Sequence, residues 1–193
     1  MNVAIPSVED SIADPIAPSS SLTTSTPSTL APKSLLTLGT GYLRVSLFDS
    51  ASVLLPLTQV QEVIALPSHR LSALPNLPAP VLGLMNRRSQ VLWLVDLVYL
   101  LGIGRLELDG LTHNVVVLKV GSLSVGFAVK AIEGMISIGP DALVPVPPQV
   151  PPSALPYLKS CARLTANENS SATLLMVLNP DALLQSPILQ IQT

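Results

Sequence analysis

The sequence is short of charged, aromatic and cysteine residues, and the shortage of charge says most about its function. Charged residues make up only 11 % of the chain, well below the roughly 25 % of a typical globular domain. A surface so sparsely charged must expose apolar atoms, and large exposed apolar patches usually mark faces that bind a partner. The net charge of −2 and the lack of a basic stretch argue against nucleic acid as that partner.

The residues that usually hold metals or cofactors are also scarce. Cys161 is the only cysteine, which excludes a disulfide within the chain and favours a reducing, cytoplasmic location. His69 and His113 have no ligand partner close in sequence, so no zinc site is expected. Residues 39–41 and 102–104 begin like dinucleotide-binding fingerprints but lack the third glycine. We therefore expect no cofactor, no metal and no catalytic residue.

The apolar residues do not form a membrane-spanning segment. The most apolar stretch, Val91–Ile103, contains Asp96 and is shorter than the roughly 20 residues that a bilayer requires. No basic residue precedes Lys33, so the N-terminal region does not resemble a secretory signal. Residues 1–35 are rich in Ser, Thr and Pro and are expected to form a disordered tail. Direct membrane insertion is not expected.

Short apolar segments separated by glycine and proline predict an all-β fold with short helices. Strands are expected over 42–48, 53–55, 60–64, 81–85, 91–95, 115–120, 123–129, 132–138 and 173–178. Asp96 and Asn179 each follow a strand and are predicted to cap a short apolar helix. Because this strand–cap–helix pattern occurs twice, we expect a domain over 36–190 with two small barrels. The first barrel should span about 42–102 and the second about 112–180.

A polar segment, Asn86-Arg87-Arg88, lies between two very apolar strands. A solvent-exposed hairpin tip is the simpler interpretation. The alternative is a guanidinium presented to a partner, since arginine is enriched in binding hot spots.

The segment that contains this tip resembles the signature of the CheW-like family, the adaptor proteins of bacterial chemosensory arrays. The matching features are an Asn-x-Arg motif, Asn86 to Arg88, and an apolar strand that ends in Asp-Leu at residue 97. Val60–Val63 is similar to the family's upstream Val-Gln-Glu-Ile segment, and the resemblance covers roughly residues 36–184. Ser89 departs from the family's pattern because it stands where a glycine is preferred.

The resemblance implies two five-stranded β-barrels and a protein without an active site. It also implies an adaptor that joins chemoreceptor tips to the regulatory domain of a CheA-type histidine kinase, in chemotaxis, phototaxis or pilus-based motility. By the same resemblance, Val60, Asn86 and Arg88 belong to the receptor-facing side. Glu62 and Val63 lie where the family approaches the kinase.

Two other classes of function are compatible with an all-β chain. A small-ligand-binding β-barrel would use the apolar excess to line a cavity, and a catalytic barrel would need an acid–base or nucleophile constellation. The sequence offers no such constellation. Two filled small cores would favour the adaptor, whereas one interior pocket of several hundred Å³ would favour the ligand binder.

Overall fold

The structure is a computed structural model that describes residues 39–164 and 172–189. The predicted disordered tail over 1–35 lies outside the described residues.

Strands dominate the described part of the chain, which also contains two short helices. In chain order the elements are β1 (Thr40–Phe48), β2 (Ala51–Pro56), β3 (Val60–Pro67), β4 (Leu71–Ser72), β5 (Val81–Arg87), β6 (Gln90–Asp96), α1 (Leu97–Leu100), β7 (Thr112–Val120), β8 (Leu123–Val129), β9 (Ala131–Ile138), β10 (Leu143–Val144), β11 (Leu158–Leu164), β12 (Thr173–Leu178) and α2 (Pro180–Leu184). All nine predicted strands are present, with ends that differ by a few residues. Strands β4, β10 and β11 were not predicted.

The strands form two six-stranded sheets. Sheet A has the order β10-β11-β12-β2-β1-β9, and sheet B has the order β3-β7-β8-β6-β5-β4. The prediction of an all-β, two-part fold is confirmed, and each sheet has one more strand than the five expected because β4 or β10, two residues long, is added at its edge. The strand order differs from the predicted division into 42–102 and 112–180. The reason is that β1 and β2 pair with β9 and β12 from the far end of the chain.

The two sheets repeat one arrangement with a circular shift of the chain. Strands β3 to β8 build sheet B in the same spatial order in which β9 to β12, followed by β1 and β2, build sheet A. In each sheet the strand that precedes a helix pairs in parallel with its neighbour, β6 with β8 and β12 with β2. The strand–cap–helix repeat seen in the sequence therefore reflects a repeat of the whole six-stranded unit.

Three apolar clusters fill the described structure. One lies within sheet B and includes Met85, Leu94 and Val117, and a second lies within sheet A and includes Leu54 and Val177. The third and largest joins the two sheets and both helices, with residues such as Phe127 and Leu183 fully buried. Apolar side chains thus fill the space that each curled sheet encloses and the space between the two sheets. Filled cores of this kind favour an adaptor over a ligand-binding barrel.

Both predicted helix caps are present. The Asp96 carboxylate accepts a hydrogen bond from the Tyr99 amide at 3.0 Å and, through its other oxygen, one from the Leu106 amide at 2.9 Å. The Asn179 side chain accepts from the Asp181 amide at 3.2 Å. Asp96 is 4 % exposed, so it fixes the start of α1 and the connection to β7 together.

Candidate functional site

The candidate site lies at the end of sheet B where β3 begins. β3 is an edge strand that pairs with β7, and the register shifts between Val60 and Glu62. Val60 packs at the margin of the cluster between the sheets, whereas Val63 is 42 % exposed. Because side chains alternate along a strand, Glu62 points to the same face as the partly buried Ile64, toward the inside of sheet B.

The tip of the β5–β6 hairpin is tighter than the sequence predicts. The expected loop over 86–90 is a two-residue turn, Arg88–Ser89, and Asn86 and Arg87 belong to β5. Arg88 and Ser89 have φ angles of 48° and 64°, the left-handed pair that a type I′ hairpin turn requires. Ser89 adopts this conformation at the position where the family prefers glycine, so the departure does not open the turn.

An ion-pair cluster joins the hairpin tip to β3. Arg87 donates from Nε to both oxygens of Glu62, each at 3.3 Å, and from a terminal nitrogen to Oε2 at 3.1 Å. Arg88 approaches the same Oε2 at 3.3 Å. The Glu62 side chain is 14 % exposed and that of Arg88 is 74 % exposed. Glu62 is therefore held inside the cluster, while Arg88 remains accessible.

The cluster brings together most of the residues that the family resemblance singled out. Glu62 and Arg88 are in direct contact, and Val60 and Val63 flank Glu62 on the same strand. Asn86 is exposed and lines an open groove with Arg70 instead of joining the ion pairs. Arg87 was missed as a site residue. Its position two residues after Met85, which faces the core of sheet B, is the signal that could have placed it on the inner face.

Comparison with known proteins identifies the family. The sequence model of the CheW-like domain matches residues 42–187. The chain belongs to the CheW-like family. The structure of the scaffolding protein TtCheW from Thermoanaerobacter tengcongensis matches with a TM-score of 0.60 and 19 % sequence identity, over 73 % of this chain and 89 % of that chain. No curated protein sequence matches.

Membership of the CheW-like family supports a general role as a chemotaxis scaffold or adaptor. The likeness to TtCheW supports the fold, with two curled sheets and short helices, across most of the described chain. The matched residues include β3, the β5–β6 hairpin and both helices, so the candidate site lies within the CheW-like domain.

His113 and Cys161, which lie outside the candidate site, are both buried. His113 is 7 % exposed, and its Nε2 lies 3.0 Å from Oγ of Ser68, which itself donates to the Gly110 carbonyl at 2.6 Å. Cys161 is buried in sheet A, and desolvation raises the pKa of its thiol. Within residues 39–164 and 172–189, no three acidic, histidine or cysteine side chains form a group able to hold a metal. A helix with the length and apolarity needed to cross a membrane does not occur in the same ranges.

Proposed function

We propose that this protein is a non-catalytic, cytoplasmic adaptor that couples the cytoplasmic tips of chemoreceptors to the regulatory domain of a CheA-type histidine kinase. The pathway would be chemotaxis, phototaxis or pilus-based motility. One observation carries the proposal beyond family membership: Glu62 binds both arginines of the hairpin tip. This contact makes the two family motifs, Val60–Val63 and Asn86–Arg88, parts of one surface.

The proposed contacts fall into two groups within this surface. Arg88 and Asn86 are exposed and carry hydrogen-bond donors that a receptor helix can engage, and Val60, two residues before Glu62 on β3, is the third residue proposed for this side. Val63 presents an exposed apolar side chain on the edge strand β3, on the side proposed to meet the kinase. Glu62 acts as a positioning residue, because its carboxylate is already occupied by Arg87 and is mostly buried.

The experiment that tests the proposal uses the full chain with a receptor signalling-tip fragment and the kinase regulatory domain encoded in the same genome. We expect the wild-type protein to bind both and to draw them into one complex. Arg88→Ala should weaken receptor binding while leaving the fold intact, since the side chain is largely exposed. Val63→Asp should weaken kinase binding because a charge would enter an apolar contact. Arg163 is an exposed arginine in sheet A, and Arg163→Ala is therefore the matched control.

Two results would contradict the proposal. Failure of the wild-type chain to bind either partner would exclude a coupling role. Unchanged receptor affinity in Arg88→Ala would remove the hairpin tip from the interface. A separate assay for ATP hydrolysis and phosphotransfer should give no activity, since the sequence has no phosphate loop.

A further inference from the structure

We propose that Arg70, Asn86 and Arg88 form a cationic patch that binds a carboxylate-bearing segment of a protein partner. The inference rests on the proposed function and deepens it, because that partner would be the receptor tip, to which Asn86 and Arg88 are assigned above. The patch lies at the end of sheet B that carries the Glu62 cluster. The guanidinium groups of Arg70 and Arg88 and the side-chain amide of Asn86 would donate hydrogen bonds to carboxylates on the partner surface.

The first argument is the charge balance at this end of sheet B. Arg87 contacts both oxygens of Glu62, so this carboxylate and this guanidinium neutralise one another. Arg88 makes a single contact with Glu62, at 3.3 Å, and most of its side chain is exposed. Within the part of the chain that the structure describes, Arg70 forms no ion pair with an acidic side chain. The patch therefore carries two positive charges in excess.

The second argument is the placement of Arg70 beside Asn86. β4 pairs with β5 so that Leu71 lies opposite Met85. Arg70, the last residue of the 3-10 turn before β4, and Asn86, the residue after Met85, are therefore neighbours at this end of the pair. Both residues are exposed and line one open groove. A guanidinium presents donors in a fixed fork that matches a carboxylate, and the adjacent amide adds two donors and an acceptor.

An acidic protein segment fits this patch better than a nucleic acid. A protein that binds nucleic acid neutralises many phosphates at once, typically about 6–10 for a well-studied complex. Here the excess comes from two arginines on a chain whose net charge is −2. A long polyanion would be repelled by the rest of such a surface, whereas one or two carboxylates need only these groups.

The test reverses the charge of Arg70, a residue outside the motifs that define the family surface. Affinity for the receptor-tip fragment and the kinase domain is measured for the full-length wild type, Arg70→Glu, Arg70→Lys and the control Arg163→Glu. We expect Arg70→Glu to weaken binding of the receptor-tip fragment about tenfold or more, because a like charge would then face the receptor's carboxylate, and to leave kinase binding unchanged. Arg70→Lys should retain most of the affinity and Arg163→Glu should retain all of it. Thermal unfolding of each variant checks the fold.

The outcomes separate this inference from the adaptor role. Wild-type binding of both partners with no effect of Arg70→Glu, or with an equal effect of Arg163→Glu, would overturn the patch and leave the adaptor intact. Failure of the wild type to bind either partner would overturn the adaptor. In that case the patch is tested by measuring the binding of a short polyglutamate peptide and of a polyuridylate RNA of matched charge to the wild type and to Arg70→Glu. Peptide binding that depends on Arg70 would support the patch, whereas stronger RNA binding, or no peptide binding, would overturn it.

Discussion

The Glu62 carboxylate meets the Arg87 guanidinium through three contacts of 3.1 to 3.3 Å, although β7, β8 and β6 lie between their strands in the order of sheet B. Two side chains so far apart in a sheet can touch only where the sheet curls back on itself. The Glu62–Arg87 pair therefore joins β3 to β5 across the curl of sheet B. Arg88 adds a second, more exposed cation to the same carboxylate.

Loss of Arg87 should therefore lower stability more than loss of Arg88. We expect Arg87→Ala to reduce the free energy of unfolding by about 1–2 kcal/mol, because hydrogen bonds to a charged, largely buried partner are lost. Arg88→Ala should cost about 0.5 kcal/mol or less, since exposed ion pairs contribute little. Urea unfolding of the two variants at the same ionic strength measures both. Equal losses would show that the arginines share Glu62 evenly, contrary to the larger number of contacts that Arg87 makes.

Local features of the fold could be predicted from the sequence because each depends on neighbouring residues. The β7–β8 hairpin follows from alternating apolar residues around Gly121-Ser122, and α1 and α2 follow from Asp96 and Asn179 in front of short apolar runs. These signals act within a few positions of the chain.

The features that were missed depend on contacts between distant parts of the chain. β1 and β2 belong to sheet A because β2 pairs in parallel with β12, where Val53 lies opposite Met176. A pairing between residues so distant in sequence cannot be predicted from a local pattern. β11 was missed because Lys159 and Arg163 interrupt its apolar residues. The contact of Arg87 with Glu62 depends on the curl of sheet B, so the sequence predicted an exposed tip but not the ion-pair cluster that holds it.

The serine in the hairpin turn should be replaceable with a gain in stability. Ser89 has a φ of 64°, a left-handed conformation that costs a residue with a Cβ roughly 1–2 kcal/mol. Glycine avoids this cost but has more freedom in the unfolded chain, so Ser89→Gly should stabilise the protein by about 0.5 kcal/mol. The melting temperature of the variant measures the gain.

Ser122 supplies the matched control for this substitution. It follows Gly121 in the β7–β8 turn, where Gly121 alone has a positive φ. Ser122→Gly should give no gain, because it relieves no strain and only adds freedom to the unfolded chain. A similar rise in melting temperature for both variants would contradict the strain at Ser89.

The two helix caps should differ in their contribution to stability because their burial differs. Asp96 is 4 % exposed and accepts from two backbone amides, so Asp96→Ala leaves two donors unsatisfied in the interior and should cost about 3 kcal/mol or more. Asn179 accepts one bond of 3.2 Å at an exposed site, and Asn179→Ala should cost about 1 kcal/mol or less. Chemical denaturation of the pair tests the ranking, and a larger loss at Asn179 would contradict it.

The buried thiol in sheet A should make stability fall at alkaline pH. Burial raises the pKa of the Cys161 thiol above its usual value, because desolvation disfavours the thiolate. The folded state therefore holds the proton at pH values where the unfolded state has released it. Stability from this group is present in full below the unfolded pKa and is lost as pH rises through it toward the folded pKa.

Cys161→Ala isolates this contribution from the other groups that titrate at high pH. The free energy of unfolding of the wild type should decline more steeply than that of the variant above a pH of about 8.5, the pKa of an unperturbed cysteine. In the folded wild type, a thiol reagent such as iodoacetamide should react slowly near neutral pH, because little thiolate is present and the side chain is 1 % exposed. Unfolding in urea should restore the rate of a free cysteine. Parallel pH profiles for the two proteins, together with rapid alkylation of the folded chain, would mean that Cys161 is accessible and ionises normally.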